Sequence, residues 1–170
     1  NTNPTGTVSA SSAKVGSFII TAGSGEAIDV TQIVMQDASA VSQMGDNFQN
    51  LKLMNGTTLI GTTIGSLDSS GTAATYSFSP SSAIRVNAGQ QYVVDVYADV
   101  KSSVQDSAMS LAPAIKYYSL TATGVNTGTS ASDANAISLQ TAYISASGNL
   151  TVTADADTPV LGQVVMGATD

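Results

Sequence analysis

The chain of 170 residues contains no cysteine, no histidine and no tryptophan. Without cysteine, neither a disulfide bond nor a thiolate metal site can form. Without histidine, the usual general base and the commonest metal ligand are missing, and so is a Ser–His–Asp triad. Neither a G-x-S-x-G nucleophile elbow nor a G-x-x-x-x-G-K phosphate loop occurs in the sequence. These absences predict that the chain is not an enzyme and carries no catalytic residue and no cofactor.

Charged residues are scarce, at 10% of the chain, against about 25% in ordinary soluble domains. The formal net charge is −7, and the five cationic residues are scattered along the sequence. Because phosphate binding needs clustered Lys or Arg, we expect neither nucleic acid nor an anionic membrane surface as a partner. The sequence has no run of about 20 apolar residues, so we also expect no membrane insertion. Solubility then depends on Ser, Thr and amide side chains, which is typical of secreted and cell-surface β proteins.

Apolar residues recur with the period of two that β-strands require, in short runs bounded by Gly, Ser, Asn and Pro. In the clearest run, Tyr92, Val94, Val96 and Ala98 alternate with other residues and therefore share one face. Residues 38–50 contain the one plausible helical turn. About nine or ten short strands, spaced by roughly ten residues, predict an all-β, antiparallel β-sandwich of the Ig-like or jelly-roll-like kind.

Two local patterns predict details of this sandwich. Asn55-Gly56 lies between two apolar runs, and such a pair is the strongest short-range hairpin signal, because a two-residue turn needs positive φ at its centre. The sequence therefore predicts a hairpin over residues 51–62. The apolar alternation also changes phase between Val30 and Ile33, which indicates a β-bulge.

The two ends of the chain resemble each other, since each leads from a Ser/Thr-rich segment into an apolar strand. The aligned residues are Val15-Gly16-Ser17-Phe18-Ile19-Ile20 and Leu161-Gly162-Gln163-Val164-Val165-Met166. We assign residues 1–157 to a single sandwich domain, in which residues 1–13 form a linker or a strand. Residues 158–170 are predicted to be a strand that pairs with a neighbouring module or subunit. The predicted contacts of this assembly strand are Leu161, Val164, Val165 and Met166.

Four stretches occur in a characteristic order and cover nearly the whole chain: "GSFIITAGSGEAIDVTQIVMQD", "FQNLKLMNGTTLIGT", "FSPSSAIRVNAGQQYVVDVYADV" and "YSLTATGVNTG". Together they resemble the repeated β-sandwich modules of very large secreted surface proteins of bacteria, notably of Patescibacteria-type candidate phyla. The resemblance implies an extracellular module that strings with others, or polymerises, into a cell-surface fibre, stalk or coat. The family usually has long tandem arrays, so this unit is either a piece of one or a subunit that assembles.

Carboxylates are the candidate metal ligands. Asp95 and Asp99 are four residues apart on one predicted strand and so share a face, where with Asp106 they could bind structural Ca²⁺ through oxygen ligands. Asp155 and Asp157 could bind Ca²⁺ at a joint between modules. The alternative interpretation is solvated acids on the polar face of a strand for the first group, and turn chemistry for the second.

The chain also offers candidate attachment and binding positions for sugars. Asn55 and Asn149 each begin an N-x-[ST] glycosylation sequence, although such sequences also arise by chance in a Thr-rich chain. Tyr117 and Tyr118 are adjacent on a predicted strand, so one of the two is expected to face solvent. Exposed tyrosines there and at Tyr143 would favour a carbohydrate-binding module.

The sequence therefore favours an extracellular structural module. Its predicted partners are copies of itself or neighbouring modules, joined by tandem stacking or by strand exchange of the kind seen in pilins. The alternative function is an adhesin or carbohydrate-binding module, with glycans as partners.

Overall fold

A computed structural model describes residues 5–7, 11–38, 44–70, 73–103, 115–140 and 143–145. These residues form twelve β-strands and one four-residue helix. The strands and the helix are β1 (Thr5–Thr7), β2 (Ala13–Thr21), β3 (Ile28–Asp37), α1 (Met44–Asn47), β4 (Phe48–Asn55), β5 (Thr58–Ile64), β6 (Thr75–Phe78), β7 (Ile84–Val86), β8 (Gln91–Val100), β9 (Ile115–Gly124), β10 (Ser130–Asp133), β11 (Ile137–Ser138) and β12 (Tyr143–Ser145).

The long strands belong to two sheets. A four-stranded sheet has the order β2-β8-β4-β5. A six-stranded sheet has the order β10-β9-β3-β6, with β11 also pairing with β9 and β7 also pairing with β3. All pairs in both sheets are antiparallel, whereas β1 and β12 form a separate parallel pair. The predicted all-β sandwich with at most one short helical turn is confirmed.

The core lies between the two sheets and is built by alternation along the strands. In β8, Val94, Val96, Ala98 and Val100 are buried, while the residues between them are partly exposed. Burying a Val, Leu or Phe side chain stabilises a fold by about 1.5–3 kcal/mol, so a chain without disulfides can be held by these contacts alone. The largest side chains that are fully buried are Phe48, Phe78, Ile33, Met35, Met44, Leu51, Leu53 and Ile115.

The predicted hairpin is present as β4 and β5, but its turn lies one residue later than the sequence indicated. Asn55 still pairs with Thr58, so the two central residues are Gly56 and Thr57. Gly56 has a φ of 56°, and a glycine with positive φ at the first central position is the requirement of a type II′ turn. Only one central residue then needs the left-handed region, which leaves Asn55 in the strand.

The predicted bulge in β3 is confirmed, because the register between β3 and β9 shifts between Val30 and Gln32. The extra residue explains the change of phase in the sequence, since Val30 and Ile33 are both completely buried. A bulge lets one strand keep its apolar face on the core after an odd number of residues.

On one side of the sandwich, the chain crosses from β5 to β6 and joins the sheets through backbone hydrogen bonds. The Asn50 N–H donates to the Gly65 carbonyl at 3.0 Å, and the Gly45 N–H of α1 donates to the Asp68 carbonyl at 2.9 Å. The Asp37 N–H, at the end of β3, donates to the Ala74 carbonyl at 2.9 Å. We call this the closed side.

No helix among the described residues has both the length and the apolar character needed to cross a membrane.

Candidate functional site

The opposite side of the sandwich contains an open groove of about 790 Å³. It lies where β2, the outermost strand of the four-stranded sheet, faces β10 and β11, the outermost strands of the six-stranded sheet. We call this the open side. The lining residues are mostly apolar or hydroxyl-bearing, and they include Phe18, Ile20, Ile28, Tyr117, Leu120, Ala122, Ile137 and Leu139.

The alternation of β2 directs two aromatic or aliphatic side chains between the sheets. Phe18 pairs with Val94 and Ile20 with Tyr92, both on the core-facing side of β8. The Phe18 ring packs against the Tyr117 ring of β9, with centroids 5.3 Å apart and an interplanar angle of 47°. Because Phe18 is only partly buried, part of this apolar surface remains available to an occupant of the groove.

The outer backbone edge of β2 is largely unpaired. The Ser17 N–H points away from β8 and donates to the side-chain oxygen of Gln140 at 2.9 Å. In an antiparallel strand, successive residues direct their N–H and C=O groups to opposite sides. Ile19 and Thr21 therefore direct theirs toward the open side, in agreement with the Ala22 N–H, which donates to the Gln90 carbonyl on the β8 side. Among the described strands, none is hydrogen-bonded to this outer edge, although β1 lies near β2.

Leu139 and Gln140 cover one end of the groove. The Leu139 N–H donates to the Ile115 carbonyl at 3.2 Å, and its side chain is 8% exposed. Leu139 lies so close to β2 that a Cβ on Gly16 would be 2.8 Å from its Cδ1 atom. The groove is therefore narrow beside Gly16 and open beside Ile19 and Thr21.

One charged residue, Asp133, is present among the described residues that line the groove. The Tyr117 hydroxyl donates to Asp133 Oδ2 at 2.9 Å. This bond lowers the pKa of Asp133, while burial and the same bond raise the pKa of Tyr117. Asp133 is thus an ionised carboxylate that orients a core tyrosine, and the rest of the groove is uncharged.

An exposed apolar pair continues the groove onto the outer face of the four-stranded sheet. Ile19 of β2 lies directly opposite Val93 of β8, and they are 55% and 45% exposed. Both residues belong to the groove lining, so the apolar surface passes over the edge of β2. A strand added to this edge could therefore make apolar contacts on both of its faces.

The predicted calcium ligands on β8 are both engaged by other groups of the protein. Asp95 pairs with the Lys14 ammonium at 2.7 Å. Asp99 accepts hydrogen bonds from the Ser12 N–H at 2.6 Å and from Asn50 Nδ2 at 2.7 Å. The Ser12 bond is the main cause that lowers the pKa of Asp99.

Asp95 and Asp99 share the outward face, as expected from their spacing. Within the described ranges no group of three or more Asp, Glu, His or Cys residues is placed to hold a metal ion. The remaining predicted ligands, Asp106, Asp155 and Asp157, lie outside the described residues. A calcium site therefore stays a prediction.

The side-chain amide of Asn55, the first predicted glycosylation position, is hydrogen-bonded to the neighbouring strand β8. Its Nδ2 donates to the Val93 carbonyl at 2.7 Å, which extends the sheet pairing past the last residue pair of β4 and β8. Asn149 lies outside the described residues, so glycosylation stays a prediction. The predicted assembly strand also lies outside them, including Leu161, Val164, Val165 and Met166.

Of the two adjacent tyrosines, one is buried and the other faces solvent, as predicted. Tyr117 is 4% exposed and belongs to the core, whereas Tyr118 is 41% exposed. Tyr117 is therefore not available for a platform of exposed rings.

Sequence reasoning missed a buried carboxylate on the closed side. Asp37 is 1% exposed, and neither carboxylate oxygen has a hydrogen-bond partner of ordinary geometry. Burial raises the pKa of Asp37 to about 6, although the nearby Tyr76 hydroxyl and the Met44 N–H act to lower it. The same hydroxyl accepts the Asp68 N–H at 3.2 Å, which leaves its own hydrogen free to point at Asp37. The only sequence signal was an Asp at a buried position of the strand alternation.

No protein-family model matches this chain, and comparisons with curated proteins and with solved structures likewise find no match. The resemblance to bacterial surface modules stays a prediction.

Proposed function

We propose that this chain is an extracellular structural module that joins to others through strand addition on its open side. The observation that supports this function best is the unpaired outer edge of β2 above an apolar groove of about 790 Å³. Repeated joining of this kind builds a fibre, stalk or coat at the cell surface. Residues 17–21 of the edge carry no charge, so strands can pair there without a local charge repulsion.

The part of β2 from residue 17 to residue 21 lacks the charges, proline and bulges by which proteins prevent strand addition, whereas Lys14 and a register shift lie nearer its start. Natural edge strands are protected by Lys, Pro, bulges or covering loops. Residues 17–21 of β2 have no charge and no proline, and they keep a regular register with β8. Leu139 and Gln140 cover the end of this edge beside Gly16, and no described strand pairs with residues 17–21 on their outer side. An incoming strand would gain main-chain hydrogen bonds from the edge and specificity from the groove.

The groove is a weaker candidate for a small polar ligand. Such sites usually combine an apolar lining with several converging polar groups. Here Asp133, the charged lining residue, is already bonded to Tyr117. The site consequently favours an apolar strand over a sugar.

A pair of lysine substitutions on the two edge strands of the same sheet tests this function. Ile19 of β2 and Leu59 of β5 are both exposed apolar residues, at 55% and 44%. Sedimentation velocity over a range of concentrations, with negative-stain imaging of the largest species, measures assembly of the full chain. We expect the unmodified chain to assemble, Ile19→Lys to lose assembly, and Leu59→Lys to retain it.

A full chain that stays monomeric at all concentrations would contradict the proposal, as would equal assembly of the Ile19→Lys and Leu59→Lys variants. Circular dichroism of both variants serves as the folding control, since neither side chain is part of the core.

A further inference from the structure

We infer that residues 161–166 of a second copy are the strand that the open edge of β2 receives. This inference rests on the proposed function and names its partner. Each copy then offers one edge and one strand, so the contact is heterologous, and repetition gives an open filament and not a closed ring.

The length and composition of residues 161–166 suit this edge. Six residues in an extended conformation span about 20 Å, and the five residues from Ser17 to Thr21 span about 16 Å. The segment, Leu161-Gly162-Gln163-Val164-Val165-Met166, contains no charge and no proline. Apart from Asp133, which is already bonded to Tyr117, the groove lining carries no charge, and this segment would fill it without bringing in an unpaired charge.

The segment is apolar on both faces, and so is the surface that it would cover. In a strand, Val164 and Met166 lie on one face and Val165 on the other. The first face enters the groove, where Phe18 and its neighbours are only partly buried. The second face lies beside the exposed pair formed by Ile19 and Val93. A strand with one apolar face would leave that pair uncovered.

The position of Gly162 in the segment is our reason for orienting the added strand parallel, and not antiparallel, to β2. It shares a face with Val164 and Met166, so it also enters the groove. The groove is narrow at the end where Leu139 approaches Gly16. A residue without a side chain needs the least room at that end, so the arrangement that we infer has Gly162 toward Gly16 and Met166 toward Ile20. The added strand therefore runs parallel to β2, with Val165 beside Ile19.

Engineered disulfides test this arrangement cleanly, because the natural chain contains no cysteine. The full chain is prepared with Ile19→Cys and Val165→Cys, and a control carries Ile19→Cys and Val164→Cys. Neighbouring residues on one face of a sheet have Cβ atoms about 4.5–5.5 Å apart, close enough for a disulfide after a small adjustment. After mild oxidation, we expect the first variant to form a ladder of covalent dimers and larger species. We expect the control to lose that ladder, since Val164 enters the groove on the opposite face.

Several outcomes would overturn the inference. Equal ladders in both variants would mean random collision, and no ladder in either would mean that a different strand occupies the edge. A disulfide within one chain, seen as a monomer that is lighter by two hydrogens, would mean that each copy fills its own groove.

The lysine variants separate these failures from failure of the proposed function. If Ile19→Lys abolishes assembly while Val164→Lys leaves it intact, the edge is the assembly site and residues 161–166 are not its partner. If Val164→Lys abolishes assembly and Val165→Lys weakens it less, the inference is supported by the alternation of the strand.

Discussion

On the closed side of the sandwich, backbone hydrogen bonds connect the two sheets through the β5–β6 crossing, whereas on the open side one side chain caps a strand edge. Gly65, Asp68 and Ala74 each accept a backbone N–H on the closed side. On the open side, the Gln140 side chain accepts the Ser17 N–H. A backbone contact fixes two chain segments together, but a side-chain cap can rotate away. If a partner binds, as we propose, we expect the open side to admit it without unfolding.

The two edge strands of the four-stranded sheet show the same contrast, because β5 on the closed side is irregular and β2 is regular beside the groove. In β5, the register with β4 shifts between Leu51 and Leu53, and Gly61 has a φ of 70° beside the Ser79 backbone. Such irregularity bends an edge and obstructs the pairing of another strand. In β2, the register shift falls between Lys14 and Gly16, and the remainder of the strand is regular. The irregular strand β5 is thus protected against the pairing of another strand, whereas residues 17–21 of β2, beside the groove, are not.

The largest expected effect is on the closed side, at Gly45. A Cβ at this position would overlap the backbone of Leu67 and Asp68, and backbone atoms cannot move aside as a side-chain end can. We expect Gly45→Ala to lower the free energy of unfolding by more than about 3 kcal/mol, above the usual cost of overpacking. Urea denaturation measures the change.

Gly65→Ala is the matched control on the same crossing. A Cβ there has Asn50 Oδ1 as its nearest neighbour, at 3.7 Å, which is an ordinary contact. We expect a change within about 0.5 kcal/mol, as for most substitutions without a special mechanism. Equal destabilisation by the two alanines would show that the closed side is not held by close backbone packing.

The next effect is a pH dependence that arises from Asp37. Its pKa is raised from 3.8 to about 6 by burial, so the folded state binds the proton more tightly than the unfolded state. The free energy of unfolding should therefore rise as the pH falls from 7 to 4.5, by about 2 kcal/mol. Denaturation at a series of pH values measures this slope.

Asp37→Asn removes the ionisable group and should flatten the dependence in that window. An unchanged slope in the Asn variant would contradict the assignment to Asp37. Below about pH 4.5, carboxylates with lowered pKa values, such as Asp99, act in the opposite direction, because their stabilising contribution is lost on protonation. The measurement is therefore confined to higher pH.

The smallest effect on stability concerns two glutamines, one on each side of the sandwich, and their variants distinguish the two sides directly. Gln140 accepts the Ser17 N–H on the open side, and Gln36 Nε2 donates to the Ala73 carbonyl at 3.1 Å on the closed side. Replacing either by Ala removes one hydrogen bond and should cost about 1 kcal/mol. Only Gln140→Ala should also shift assembly to lower concentration, because it frees another edge N–H. Equal assembly of the two variants would mean that the cap does not compete with a partner.

Local patterns in the sequence predicted the elements of this fold well. The run from Tyr92 to Ala98 forms the inner face of β8, and the change of phase after Val30 is a bulge. These features depend on residues that are neighbours along the chain, so the alternation of apolar and polar residues is enough to predict them. The turn at Gly56 was misplaced by one residue, because an Asn-Gly pair fits more than one turn type and the pairing partners decide between them.

The free edge of β2 and the groove beside it were much harder to predict from the sequence. Whether β2 lies at an edge depends on strand order, and strand order depends on contacts between distant segments. The short strand β7 and the long strand β8 illustrate this, because they are adjacent in sequence but belong to different sheets. The burial of Asp37 is equally non-local, since it results from α1 and β6 packing over the end of β3. Free edges and buried charges are properties of the assembled sheets.

The position of β8 and β9 in the strand order has a consequence for folding kinetics. β8 (Gln91–Val100) lies between β2 and β4, and β9 (Ile115–Gly124) lies between β3 and the strand pair β10 and β11. Each inner strand thus pairs with a strand that is distant in the sequence, β8 with β2 (Ala13–Thr21) and β9 with β3 (Ile28–Asp37), and such non-local pairing is slow. β6 and β7 can also pair with β3, but β2 has β8 as its one partner among the described strands of its sheet, so it exposes an apolar face until β8 pairs with it, a state prone to misassembly. The pairing of β2 with β8 should therefore be among the slow steps of folding.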